Sequence, residues 1–133
     1  YNIPLSDSSI DLVFAFQSFH HFGKYQETLR EIHRVLKPGG VCLLLSEPSC
    51  PKYIYPLAYK RVNKNRPHVP EDVLKYNEIK KFAVDAGYQE IKVEFDPNLL
   101  NRRPLPTVYY WIMSKSKLLQ KILPCTANFI FKK

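Results

Sequence analysis

Two short apolar runs, separated by one amphipathic helix, constrain this chain more than anything else in it. Ile10–Phe16 reads IDLVFAF and Val41–Ser46 reads VCLLLS. Near-continuous apolar runs of this length are the pattern of strands buried on both faces. Between them, Tyr25, Leu29, Ile32 and Leu36 recur at helical spacing, which predicts a helix over Lys24–Leu36. Lys37-Pro38-Gly39-Gly40 stops it, because proline cannot continue a helix easily and glycine permits the left-handed turn that follows. Strand, helix and strand this close predict a βαβ unit with parallel strands and a right-handed crossover. Ligands of such folds sit beyond the carboxyl ends of the strands. The residues just after Phe16 and just after Ser46 therefore carry the most information.

Downstream, Glu47–Asn77 is long and proline-rich, with Pro48, Pro51, Pro56, Pro67 and Pro70. A connection of that length reads as a lid or an inserted element, with a short helix over Ile54–Val62. Asn77–Ala86 reads as a helix with Asn77 as N-cap and Gly87 as its stop. Tyr88–Phe95 alternates polar and apolar, as a half-exposed strand does. Thr107–Leu123 reads as helical with a break near Ser114-Lys115-Ser116, and Cys125–Phe131 as a last strand.

A chain of 133 residues fits one domain. No apolar run approaches the roughly 20 residues needed to cross a bilayer, so no membrane span is expected. Cys42, Cys50 and Cys125 are odd in number and lack metal-ligand spacing, which argues for a reducing, cytoplasmic setting and against zinc. The net charge of +8 lies wholly in the second part of the chain. Lys52–His68 holds Lys52, Lys60, Arg61, Lys64 and Arg66 and no acid, which reads either as a solvated basic loop or as a surface for an anionic partner. The chain begins at Tyr1 rather than Met, the expectation for a segment of a longer protein.

The wording of three segments resembles the class I S-adenosylmethionine-dependent methyltransferases, of the small-molecule type-11-like branch. IPLSDSSIDLVFAFQSFHHF is similar to the family's "LPF-x-D-x-SFDLV" strand and "LHH" segment. LREIHRVLKPGGVCLLLSEP is similar to its "R-x-LKPGG" turn and next strand. EIKKFAVDAGYQEIKVEF resembles its later helix, "AGF" turn and strand. The resemblance implies an α/β fold, the C-terminal half of a Rossmann-like sheet: strands four to seven, the last inserted antiparallel. Residues 1–48 would be the cofactor-side core, 49–76 the substrate lid or insertion, and 77–133 the C-terminal helix-strand-helix-strand. It implies S-adenosyl-L-methionine as cofactor and a small-molecule methyl acceptor. The family's glycine-rich turn and ribose-binding acid are not in the sequence. The chain alone is therefore expected to be inactive and to hold the cofactor weakly or not at all.

Under the same resemblance, Ile3, Phe16, Gln17, Ser18 and His21 would line the cofactor, Ile3 against the adenine and Phe16–Ser18 against the methionyl part. His21 and Glu47 are the candidates for a catalytic proton acceptor. His20 and His21 are adjacent; one of them reads as packing for the loop against the cofactor pocket or, alternatively, as a general base or substrate-orienting residue. His33 reads as a surface residue. Tyr53, Tyr55, Tyr59, Tyr109, Tyr110 and Trp111 read as a substrate wall, as core or as an oligomer face. A half-sheet also leaves an edge at Leu12–Phe16, for which self-association is expected. The other readings are a non-catalytic scaffold, a nucleic-acid module using residues 52–66, and a membrane-surface role for Val108–Leu123. No nucleic-acid motif is recognisable, so no nucleic acid is expected as partner.

Overall fold

The computed structural model describes residues 2–65, 68, 70–97 and 104–133. Strand β1, Ile10–Phe16, pairs in parallel with β2, Leu36–Cys50, from Leu12↔Val41 to Phe16↔Leu45. Helix α1, Tyr25–Val35, connects them. The Lys37–Gly40 turn is looped out between the pairs Ile10↔Leu36 and Leu12↔Val41. Gly40 is required there, because a Cβ would stand 2.9 Å from the Lys37 carbonyl oxygen and 3.2 Å from that of Asp11. Arg34 fastens the opposite flank. Its guanidinium donates to Asp7 Oδ1 at 2.6 Å, to Glu31 Oε2 at 2.9 Å and to the Ile3 carbonyl at 2.9 Å.

Strand β5, Cys125–Lys132, runs antiparallel to β2 on one side and to β4, Glu90–Phe95, on the other, giving the order β1-β2-β5-β4. Helix α3, Tyr76–Ala86, packs beside α1 over one face of the sheet and ends on Gly87 at φ 98°. Phe19, Leu29, Ile32, Leu44, Ile79, Phe129 and Phe131 meet in this layer as a single core cluster. Each such side chain contributes about 1.5–3 kcal/mol by burial.

Two sequence readings need correction. α3 begins at Tyr76 with Lys75 as its N-cap, so Asn77 lies inside the first turn; Lys75 pairs instead with Glu78 at 2.7 Å. The segment after Ser46 is more regular than its prolines imply. β2 continues to Cys50, helix α2 covers Tyr55–Asn63, and the short strand β3, Leu74–Lys75, returns to pair with β2. Asn63 closes this insertion, accepting the Glu71 N–H at 2.7 Å and donating to the Glu71 carbonyl at 2.8 Å. Helices α4, Pro104–Ser114, and α5, Lys117–Ile122, are separated at Lys115-Ser116, where the Ser116 hydroxyl caps α5.

The second face of the sheet is open beside β1. Val13 and Ala15 point to the core, while Leu12, Phe14 and Phe16 point away from it and are 50%, 68% and 59% exposed. β1 is also an edge strand, so one row of its backbone groups has no sheet partner among the described residues. Light scattering of the isolated chain is expected to give a mass above that of a monomer, and Phe14→Glu is expected to lower it. A monodisperse monomer at all concentrations contradicts this.

Candidate active site at the carboxyl ends of the parallel strands

The backbone leaves both parallel strands through strained residues. Gln17, just past β1, has φ 47° and donates its N–H to the Leu45 carbonyl at 3.0 Å. Ser46 in β2 has φ 53°, and its N–H is taken up by Asn128 Oδ1 at 2.8 Å. Ser46 lies in a bulge, where the pairing with β5 jumps from Leu44↔Phe129 to Glu47↔Ala127. The bulge changes which residues face inward. Before it Cys42 and Leu44 are buried; after it Glu47 and Ser49 are. Bulges re-aim side chains in this way, and here the side chain re-aimed into the interior is a carboxylate.

Glu47 has no exposed surface. Its Oε1 accepts the N–H groups of Ser18 at 3.0 Å and Phe19 at 2.9 Å. Its Oε2 accepts the N–H of His20 at 3.2 Å and His20 Nδ1–H at 2.7 Å. These are the free donors at the start of the short 3-10 turn Phe19–His21. Burial pushes the Glu47 carboxyl up, but the bonds from His20, Phe19 and Ser18 outweigh it and hold the group below the usual carboxylate range. Glu47 thus fastens the turn after β1 to the end of β2.

Around this latch the other sequence candidates fall into place unevenly. Gln17 and His21 are exposed and Ser18 is half-buried, all beside the latch. The ring of His21 lies 4.1 Å from that of His20. Ile3 is not brought to this turn. It packs on the main core and is held at the far end of α1, donating its N–H to Glu31 at 3.1 Å. His33 is half-buried rather than on the surface, edge-on to Tyr88 with ring centroids 5.0 Å apart, and burial lowers its pKa.

Sequence reasoning missed a second network. The Tyr25 hydroxyl lies 2.5 Å from Asp72 Oδ2 and 3.0 Å from the His20 carbonyl, while Tyr55 donates to Asp72 Oδ1 at 2.8 Å. In the sequence Tyr25 reads only as one point of a helical stripe. Burial, with Asp72 beside it, pushes its phenol far above the ordinary value.

Past Glu47, Pro48 and Ser49 enter the wall of a cavity of about 300 Å³ between α2, α4 and the start of β5. Arg61, Tyr109, Tyr110 and Cys125 complete its chemically distinctive lining. Tyr109 donates to the Pro124 carbonyl at 2.6 Å, and the Arg61 guanidinium lies 6.0 Å from its ring centre. Of the other sequence-flagged aromatics, Tyr55 is tied to Asp72, while Tyr53 and Trp111 face outward.

Residues 1–44 match the family described as a methyltransferase domain. The chain is 45% identical over 65 residues to the demethylmenaquinone methyltransferase of Staphylococcus epidermidis, covering 46% of this chain and 27% of that protein. A SAM dependent methyltransferase from Archaeoglobus fulgidus superposes with a TM-score of 0.61 at 16% identity, over 97% of this chain and 62% of that one. Phosphoethanolamine N-methyltransferase 2 of Haemonchus contortus, solved with S-adenosyl-L-methionine, gives a TM-score of 0.60 at 18% identity, over 97% and 34%.

The chain shares the fold of these methyltransferases, and its first 44 residues are similar to their domain family. It spans about a quarter of the length of the curated relatives it first matches. The family match ends inside β2, before Glu47 and the cavity. Glu47 and the cavity walls therefore lie beyond the matched segment, while the latch's donors Ser18, Phe19 and His20 lie within it.

Replacing Glu47 by Gln puts an amide nitrogen against donors and leaves buried N–H groups unpaired. Glu47→Gln is expected to cost about 2–4 kcal/mol in urea unfolding. Because the folded-state pKa is depressed, the latch stabilises the fold above the unfolded carboxyl value of about 4.3. That contribution is lost as pH falls through the lower folded value. The stability gap between wild type and variant should therefore shrink in acid; a gap constant with pH contradicts the assignment.

Proposed function

We propose that this chain forms the acceptor-side half of an S-adenosylmethionine-dependent methyltransferase acting on a small molecule. In this reading its strands are four to seven of the family's sheet, with β5 the antiparallel last strand. The observation that carries the proposal is the Phe16–His21 turn, locked by Glu47 at the carboxyl end of a parallel strand pair, with Gln17 and His21 turned to solvent.

The residues present fit the amino-acid end of the cofactor. The exposed Gln17 amide offers a carbonyl to an ammonium group and an NH₂ to a carboxylate, and the Ser18 hydroxyl lies beside it. For the adenosine end the resemblance offers only Ile3: the four glycines, Gly23, Gly39, Gly40 and Gly87, form no GxGxxG turn. When bound, the cofactor supplies a methyl group already activated on a positive sulfur. The protein's share is alignment and exclusion of water. Phe16 gives an apolar wall, Gln17 and Ser18 orient the methionyl group, and Glu47 keeps their backbone in place. Glu47 has its oxygens engaged by four donors, so it acts as a positioning residue. His21, exposed and beside the turn, is the group available to take the acceptor's proton.

The cavity behind Ser49 is the acceptor chamber in this reading. Its tyrosine, proline and valine walls suit a flat, largely apolar molecule, and Arg61 at its rim suits a polar or anionic substituent. The named substrate of the S. epidermidis relative, a demethylmenaquinone, belongs to that chemical class.

The test is transfer of labelled methyl from S-adenosylmethionine to quinone and carboxylic-acid acceptors by the protein isolated from its native source. Gln17→Ala is expected to raise KM for the cofactor about tenfold with little change in acceptor KM, and Tyr109→Ala to do the reverse. The 133-residue chain alone is expected to bind S-adenosylhomocysteine more weakly than micromolar. Absence of transfer to every acceptor, or micromolar binding by the isolated chain, overturns the reading.

A further inference from the structure

Helix α4 is apolar on both sides. Met113 is buried and Tyr109 and Tyr110 face the cavity, yet Leu105, Val108, Trp111 and Ile112 are 82%, 55%, 57% and 47% exposed. Their spacing of three, three and one along the helix puts them on one outward face. A water-facing helix surface is ordinarily polar; this one is not. Helix α5 continues the pattern with exposed Leu118 and Ile122.

The charges in the chain segment that carries this face have one sign. Between Pro97 and Lys133 the sequence has no Asp or Glu. Lys115, Lys117 and Lys121 are exposed on and beside α5, and the Lys115 ammonium lies 5.6 Å from the centre of the Trp111 ring. Exposed apolar side chains with a tryptophan, flanked by lysines without acids, match the chemistry of an anionic bilayer surface: acyl chains below, phosphate headgroups above. Among the described residues no helix is long and apolar enough to cross a membrane. The face therefore fits a helix lying on a bilayer rather than through it.

We propose that the outward face of α4 and α5 docks on anionic lipid membranes, with Trp111 and its apolar neighbours inserted and Lys115, Lys117 and Lys121 at the headgroups. α4 lines the cavity with its inner side and meets the bilayer with its outer side. An apolar ligand leaving the membrane has one helix to pass.

The experiment uses vesicles of equimolar phosphatidylcholine and phosphatidylglycerol, against pure phosphatidylcholine. Trp111 is the chain's only tryptophan. The difference in emission between wild type and Trp111→Phe isolates its signal. The expected result is a blue shift of Trp111 and co-flotation with the anionic vesicles, at least about tenfold stronger than with neutral ones and weakened when salt rises from about 50 to 500 mM. Val108→Ser with Ile112→Ser is expected to reduce partitioning about tenfold while circular dichroism stays unchanged. Lys115→Glu with Lys117→Glu and Lys121→Glu should remove the preference for anionic lipid. Equal binding to neutral vesicles, no binding at all, or loss of binding in Phe14→Ser but not in the α4 variant overturns the proposal. So does an identical Trp111 shift on adding polyuridylate, which would make the face a general polyanion site. Because none of these readouts involves methyl transfer, failure here leaves the catalytic reading intact, and failure of the methyl-transfer assay leaves this one intact.

Discussion

One buried carboxylate holds the working end of this structure together. An ionised group sealed from water is costly unless donors surround it. Glu47 meets that condition with three backbone N–H groups and one imidazole. In a low-dielectric interior such a set is stiff, because loss of any one donor leaves charge uncompensated. The turn after β1 is thereby held in one conformation, including a residue, Gln17, whose positive φ it would not choose alone. The strain sits at the strand end where a bound molecule would be aligned, and the hydrogen bonds of Glu47 offset it.

The latch does not stop at β2. His20, held by Glu47, offers its carbonyl to Tyr25, and Tyr25 reaches Asp72 in the insertion, where Tyr55 also converges. The end of β2, the turn after β1, the first residues of α1 and α2, and Asp72 just before β3 thus share one hydrogen-bonded network. The wall of the cavity and the turn at the strand ends are coupled through it. Any change in the packing of α2 over Asp72 reaches the Phe19–His21 turn by at most two side chains.

Much of this was legible in the sequence. Ile10–Phe16 is found as a strand to the residue, but the burial on both faces that its apolar run predicts is not met: Val13 and Ala15 pack on the core while Leu12, Phe14 and Phe16 stay exposed. The helical stripe Tyr25, Leu29, Ile32 is equally plain, since one face of α1 meets the sheet. The hidden parts are those with no local signal. Ser46 adopts a left-handed conformation without being glycine, and Asn128, 82 residues away, takes its N–H only once β5 lies alongside β2. Without that bulge in view, Glu47 reads as a residue at the mouth of a site; with it, the side chain turns inward. Asn77 reads as a cap because its residue type favours caps, but the Lys75–Glu78 pair and the pull of β3 onto β2 start the helix earlier. His33 sits on the helix face expected to be wet, and only the approach of Tyr88 covers it.

The order of strands across the sheet is not their order along the chain. β4 pairs with β5 and with no other strand among the described residues, and β5 is synthesised after it. While the ribosome is still extending the chain, β4 emerges with nothing to join, and β2 shows one bare edge until β5 arrives. Assembly of the sheet is consequently a late, long-range event. A message broken off before the codons for Cys125–Lys132 would leave β4 stranded, without the strand it pairs with.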